Sequence, residues 1–286
     1  MVNPTIQRRR LGIALKRARE RAGMTQDEAA LVIDAASSKI SRLELGQSGV
    51  RSTDLTLLLA AYNVTGDDAT SLRDLAKAGR QRGQWSSFRD LLPTWFRQYV
   101  DLEGDASEIR WYQAEIIPGI LQTEAYIRGI LADLRRLGEE DVEQQVKIRL
   151  QRQSILNQAG APELAFVLSE SALLRAVDGP TTMREQLRHL VDLSTSLPTI
   201  TIQVLPFAAK TYVAASSNFT ILRFGDDPAS DVIYSENLTT ADYLDRPDAV
   251  RAYTRLWDDL RAAALGPGES RQLISRLADQ LEKSGS

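Results

Sequence analysis

Twice between Gly23 and Gly46 the sequence opens a short helix and closes it again. Gly23 ends a preceding run at a C′ position, and Thr25 then offers an N-cap hydroxyl, with Glu28 three residues on to complete a capping box. The helix that follows, QDEAALVI, ends about Ile33. A tight connection through Asp34-Ala35-Ala36 leads to Ser37, read as the cap of SSKISRLE, which stops at Gly46. Two short helices joined by a few small residues are the sequence form of a helix-turn-helix. Before this pair, Leu11, Ala14, Leu15 and Ala18 recur at helical spacing; after it, Leu55, Leu57, Leu58, Leu59 and Tyr62 supply an apolar fourth helix. Asp67 and Asp68 precede SLRDLAKAGR, a fifth, so the expectation is a mainly α domain of five helices over residues 1–78.

Charge bears on what such a domain would bind. The 286 residues carry 35 Lys+Arg against 38 Asp+Glu, a net charge of −3 that taken alone argues against nucleic acid. The distribution reverses that inference. Residues 1–90 hold 15 basic and 10 acidic side chains, a net of +5, and the remainder holds 20 and 28, a net of −8. The basic excess is densest at Arg8, Arg9, Arg10, Lys16, Arg17, Arg19 and Arg21. On its own a run of this kind suits a solvated helix face as well as a phosphate-binding one; ahead of a helix-turn-helix it points to phosphates.

The stretch Met24-Thr25-Gln26-Asp27-Glu28-Ala29-Ala30, followed by Ser38-Lys39-Ile40-Ser41-Arg42-Leu43-Glu44-Leu45-Gly46, resembles the XRE family of phage-repressor-type helix-turn-helix proteins over about residues 8–78. The resemblance implies a DNA-binding domain whose third helix enters the major groove. It puts Ser37, Ser38 and Arg42 against base edges and Gln26 at a phosphate beside the second helix's N-terminus. It adds Lys39, Ser41 and Arg51 as backbone contacts, and it pairs Arg19 with Glu44. One departure is Ala29 where the family more often has Leu, which is expected to loosen the second helix's packing. The residues themselves agree on Arg42. It faces outward if Ile40 and Leu43 face the core, and its guanidinium suits a bidentate pair with guanine O6 and N7.

Residues 79–93, with two Gly and an Arg-rich GRQRGQWSSFRDLL run, are read as a linker. From 94 to 283 the pattern mixes helices (94–103, 123–134, 139–158, 181–196, 247–265, 268–282) with strands (109–114, 164–168, 200–205, 219–224, 232–235). The later strands follow one another without helical crossovers, so an α+β domain is expected. Zero Cys excludes disulfide scaffolds and thiolate metal sites, and a lone histidine, His189, excludes sites needing two imidazoles. His189 falls off the stripe of Met183, Leu187, Leu190 and Val191 and is read as a surface residue. Glu115, Glu170, Glu236 and Asp242 are scattered with no spacing that pairs carboxylates. Neither catalysis, a cofactor nor a metal is expected. Trp95, Trp111 and Trp257 are read as core anchors.

This region has its own likeness. Trp95, Tyr99, Ile117-Pro118-Gly119, Leu121-Gln122-Thr123, Tyr126, Arg149, Arg152-Gln153, Met183-Arg184-Glu185-Gln186-Leu187 and Ile202-Gln203-Val204-Leu205-Pro206 are among the residues that carry it. They resemble a domain of unknown function that follows an XRE domain in many actinobacterial regulators. That resemblance implies a transcription regulator, often encoded beside a small companion protein that binds it. For the domain itself three readings stand: a dimerisation and docking platform with the 139–158 helix as interface, a sensor with a pocket near Pro118-Gly119, Tyr112, Phe219 and Tyr234, or an enzyme. The expected whole is a cytoplasmic homodimer that binds an inverted-repeat operator in double-stranded DNA, with no membrane partner. The alternative is an antitoxin-like factor that holds the companion protein and binds DNA mainly to regulate itself.

Overall fold

Leu11, Leu15 and Ala18 line one side of the first helix, α1 (Pro4–Arg21), and begin the N-terminal core. The computed structural model describes residues 4–80, 92, 94–133, 138–158, 160–211, 218–225, 230–237 and 239–284. Five further helices follow: α2 (Gln26–Val32), α3 (Ser37–Glu44), α4 (Ser52–Ala61), α5 (Gly66–Ala78) and α6 (Thr94–Glu103). Ala29, Ala30, Ile40, Leu43, Leu55, Leu58, Leu59, Tyr62 and Leu72 complete the core. Ala29 is fully buried.

Two glycines let these helices meet. A Cβ at Gly12 would fall 2.5 Å from the carbonyl oxygens of Leu43 and Glu44, so α1 lies against the end of α3 only with hydrogen at that position. Gly46 closes α3 at φ +69°, and a Cβ there would lie 2.7 Å from Cα of Arg9. The chain divides into two compact units, Met1–Asp105 and Ala106–Ser286. The first includes α6, which packs against α1. The linker read at 79–93 lies largely outside the described residues, as do the side chains of Thr94 and Trp95.

The second unit is built on a six-stranded sheet in the order β3-β2-β1-β4-β5-β6. β1 (Glu108–Gln113), β2 (Glu163–Ser169) and β3 (Ile200–Leu205) are parallel, while β4 (Phe219–Arg223), β5 (Val232–Glu236) and β6 (Ala241–Leu244) run on as an antiparallel meander. The parallel strands need long crossovers. α7 (Glu124–Asp133) and α8 (Glu139–Arg152) make the first, and α9 (Glu170–Leu174) and α10 (Pro180–Ser196) the second. α11 (Pro247–Ala263) sets Val250, Trp257 and Leu260 over Tyr112, Val167, Phe219, Ile221 and Ile233, and α12 (Pro267–Ser284) pairs with α10 beside β3. Trp111 stacks on Phe166 at 4.7 Å. This is the α+β arrangement expected, and Trp111 and Trp257 are the core anchors they were read to be.

Four expectations are corrected. Ser37 does not cap α3: the cap position is Ala36, with no side-chain bond, and Ser37 is the first helical residue. Leu57 is 49% exposed rather than part of the α4 core. The 139–158 helix ends at Arg152, where it tightens to a 3₁₀ turn over Gln153–Leu156. β6 and α9 stand where no element was predicted: both are at most five residues long, too short for a periodicity to register.

Candidate nucleic-acid interface

The capping box at the head of α2 forms as its sequence dictates. The Glu28 amide donates to Thr25 Oγ1 at 3.2 Å, and the Thr25 amide donates to Glu28 Oε2 at 2.7 Å. The Thr25 hydroxyl also donates to Glu28 Oε2, at 2.9 Å, and the bonds from the Thr25 amide and hydroxyl hold the Glu28 carboxyl below its ordinary pKa. Ile33 caps the other end, Asp34 takes φ +48°, and the Ala35 amide reaches back to Ala30 O at 3.0 Å. That turn sets the angle between α2 and α3.

Beneath the pair lies a buried polar knot. Arg19 of α1 donates from Nε to Glu44 Oε1 at 2.6 Å and from Nη2 to Oε2 at 3.0 Å. Its Nη1 donates to Met24 O at 2.7 Å, which ties down the approach to α2. Both side chains are under 10% exposed. The hydrogen bonds that Arg19 donates to Glu44 raise the Arg19 pKa against the opposing effect of burial. Burial, with the Glu44 carboxylate nearby, pushes the neighbouring Tyr62 hydroxyl up to about 12. The Arg19–Glu44 pair that the resemblance implied is therefore present, and it joins α1, α2 and α3.

The predicted contact residues divide into two groups. On α3, Ile40, Leu43 and Glu44 are buried, and the opposite side presents Ser38 and Arg42, four residues apart and both exposed. The Arg42 side chain has no hydrogen bond or ion pair among the described residues, and that of Arg51, exposed just ahead of α4, has none either. Ser37 and Ser41 flank this stripe, half-buried. The other two are already engaged. Gln26 donates from Nε2 to Glu44 Oε2 at 2.8 Å, joining the buried knot rather than standing free at the helix end. Lys39 Nζ lies 2.8 Å from Asp54 Oδ2 on α4.

The basic run is likewise only partly outward. Arg8 donates from Nε to Gly79 O at 2.6 Å, Arg9 is buried, and Arg19 is in the knot, whereas Lys16, Arg17 and Arg21 are exposed. Arg17 and Arg21 border a groove between α1 and α5 with Glu20 and Asp68, so that surface is of mixed sign.

Sequence reasoning missed Asp54, whose place in the first turn of α4 gave no hint that it would take the Lys39 ammonium. It also passed over Gly12, although a glycine inside a helical run is itself a signal of close approach. In the second unit, Glu115, Glu170, Glu236 and Asp242 all reach the edge of the sheet where β1, β2 and β5 end, but three of them bond groups other than carboxylates. Glu115 takes Arg175 and Ser171, Glu170 accepts from the Phe207 amide, and Glu236 accepts from the Tyr234 hydroxyl. His189 is half-buried and lines a surface groove with Thr123, Arg184, Glu185, Arg188 and Asp192.

Residues 10–72 match a family model described as a helix-turn-helix domain, and residues 96–276 match one described as a domain of unknown function, DUF5753. The second match begins inside α6 and so reaches into the first compact unit. No curated protein and no solved structure matches the chain. Among the described residues no helix is long and apolar enough to cross a membrane, and no group of three or more His, Asp or Glu is placed to hold a metal ion.

Proposed function

Because the chain belongs to the DUF5753 family and carries a helix-turn-helix domain ahead of that region, we propose that it is a sequence-specific DNA-binding transcriptional regulator of the XRE type that acts in the cytoplasm as a homodimer. The observation that carries the reading is the outward stripe of α3. Arg42 is exposed and unengaged beside Ser38, on a helix whose opposite face is fixed to α1 through Glu44. A guanidinium held that way on a rigid helix suits the O6 and N7 of a guanine in the major groove.

The other contacts follow from where each group already sits. Gln26 keeps one amide hydrogen beyond its bond to Glu44, and with the first amides of α2 it suits a phosphate oxygen. Ser37, Ser41 and Arg51 would add backbone contacts. Lys39 reaches DNA only by leaving Asp54, so it acts as a reserve cation rather than a standing contact. The DUF5753 region would supply dimerisation and the docking of a small companion protein. The reading is of a binding protein, and it assigns no catalysis.

The test is a gel-shift comparison of the full chain and Arg42→Ala on an operator duplex and on a scrambled duplex. Operator binding should weaken by ~1–3 kcal/mol, roughly 5- to 150-fold, with base preference relaxed at one position and scrambled DNA little affected. An equal loss on both duplexes would make Arg42 a phosphate contact and remove the base-reading role.

A further inference from the structure

The sheet order β3-β2-β1-β4-β5-β6 places a reversal at β1: the chain moves outward through β2 and β3 on one side, then returns to build β4, β5 and β6 on the other. In open sheets with helical crossovers, the crevice beyond the carboxyl ends of the strands at such a point is where small ligands bind. The registers Tyr112↔Phe219 and Thr220↔Tyr234 bring the carboxyl ends of β1 and β5 to the same edge. Many of the residues that carry the C-terminal resemblance meet there, and the DNA-binding reading uses none of them.

Beyond β1 the chain runs through Ile117 and Pro118 into a 3₁₀ turn, Gly119–Leu121. Three glutamines from three elements hold this loop rigid. Gln122, 3% exposed, donates to Ile117 O at 2.7 Å. Gln153, just past α8, donates to Gln122 O at 2.6 Å. Gln186 of α10, fully buried, accepts from the Thr123 amide and donates to Leu121 O, each at 2.7 Å. Against this loop the last turn of α8 presents two guanidiniums. Arg152 is buried, and its Nη1 lies 3.6 Å from where a Cβ on Gly119 would stand. Arg149, one helical turn earlier and half-buried, makes a single hydrogen bond among the described residues, from Nη1 to Gln122 Oε1 at 3.2 Å.

Among the described residues Arg149 has no ion pair, although a guanidinium carries five donors. Burial, and after it the like charge of Arg152, hold its pKa below the ordinary arginine value, with Glu236 opposing them through space. Glu236, bonded to the Tyr234 hydroxyl at 2.8 Å, is the carboxylate that offsets part of the charge. Both guanidiniums thus stand beside a backbone loop that three glutamines brace.

We propose that Arg149 and Arg152, standing over the Gly119 turn, bind the oxyanion of a small ligand, a carboxylate or a phosphate, at the carboxyl edge of β1. A planar fork suits either group bidentately. An oxyanion supplies the acceptors that Arg149 lacks and relieves its repulsion by Arg152. The site is independent of the DNA-binding reading, and its test needs no DNA.

The experiment is thermal unfolding of the full chain with increasing inorganic phosphate or succinate, against sodium chloride at matched ionic strength. At least one of the two anions should raise the melting transition by about 3 °C or more at ten times its dissociation constant, and which one does so identifies the source. The rise should vanish in Arg149→Met and fall in Arg149→Lys, which keeps the charge but not the fork. Without anion, Arg149→Met should melt no lower than the wild type, because it removes a poorly satisfied buried cation. Neither anion exceeding chloride would overturn the proposal, as would an undiminished rise in both variants. An Arg149→Met protein melting well below the wild type without anion would make Arg149 a structural brace and overturn it as well.

Discussion

Glu44 accepts from Arg19 with both carboxylate oxygens and takes a third hydrogen bond from Gln26, all beneath the surface that is proposed to read DNA. Removing one partner of such a pair leaves a buried charge without compensation, which costs about 3–5 kcal/mol, whereas replacing both by apolar side chains is often near neutral. Glu44→Ala should therefore lower the first unfolding transition in urea by that amount, and Arg19→Met with Glu44→Leu should recover most of it. A loss below about 1 kcal/mol for Glu44→Ala would mean that the knot does not hold α3. His189 offers a second residue-level test, since it is the chain's one histidine. Burial pushes its pKa below the ordinary value, and Asp192 and Glu185 only partly oppose that shift. Arg184 and Arg188 also border its groove. The folded state thus takes up the proton less readily than the unfolded chain, whose histidine titrates near 6.5. Stability should fall as the pH drops below about 6.5, until the folded imidazole also protonates. The imidazole signal followed by NMR should titrate below 6.5, and His189→Gln should flatten the stability profile; a midpoint at or above 6.5 would refute this. At this scale the sequence was legible where chemistry is local, as in the Thr25–Glu28 box. It was opaque where a partner is distant in the chain: nothing in the pattern tells Lys39 to reach Asp54 or Gln26 to turn inward.

At the scale of elements, the packing of α1 on α3 rests on Gly12. A methyl group there must displace the backbone carbonyls of Leu43 and Glu44, not a flexible side-chain end. Overpacking of that kind costs about 1–3 kcal/mol, although alanine is the better helix former by about 1 kcal/mol. Gly12→Ala should lower stability and weaken DNA binding together, because α3 must shift to admit the methyl group; a more stable variant would show that helix propensity outweighs the contact. Long periodic elements were readable from the chain: α6 and β3 run over the ranges expected, and β1, β2, β4 and β5 differ by a residue or two. Those that escaped have a physical reason. β6, ADYL, is a four-residue edge strand with no buried residue, so neither alternation nor an apolar run marks it. α9 has five residues, and after Arg152 the chain passes from α8 into a 3₁₀ turn inside a pattern that still reads as helical.

For the molecule as a whole, the near-zero net charge is an average over two regions of opposite sign, and the basic one is smaller on the surface than its sequence suggests. Arg8 is tied to Gly79, while Arg9 and Arg19 are buried. The exposed cations on or beside the helix-turn-helix reduce to a few, with Arg42 and Arg51 unengaged among the described residues. Phosphate attraction from so few charges is modest, so in the proposed regulator specificity would come from base contacts by α3 and from two copies binding together. The most direct measurement is selection of bound duplexes from random-sequence DNA by the purified full chain. The selected sites should contain two inverted half-sites, centred one helical turn apart, about 34–36 Å, with a guanine at the position contacted by Arg42. Recovery of single half-sites, or of duplexes with no shared sequence, would contradict a dimeric, base-reading regulator.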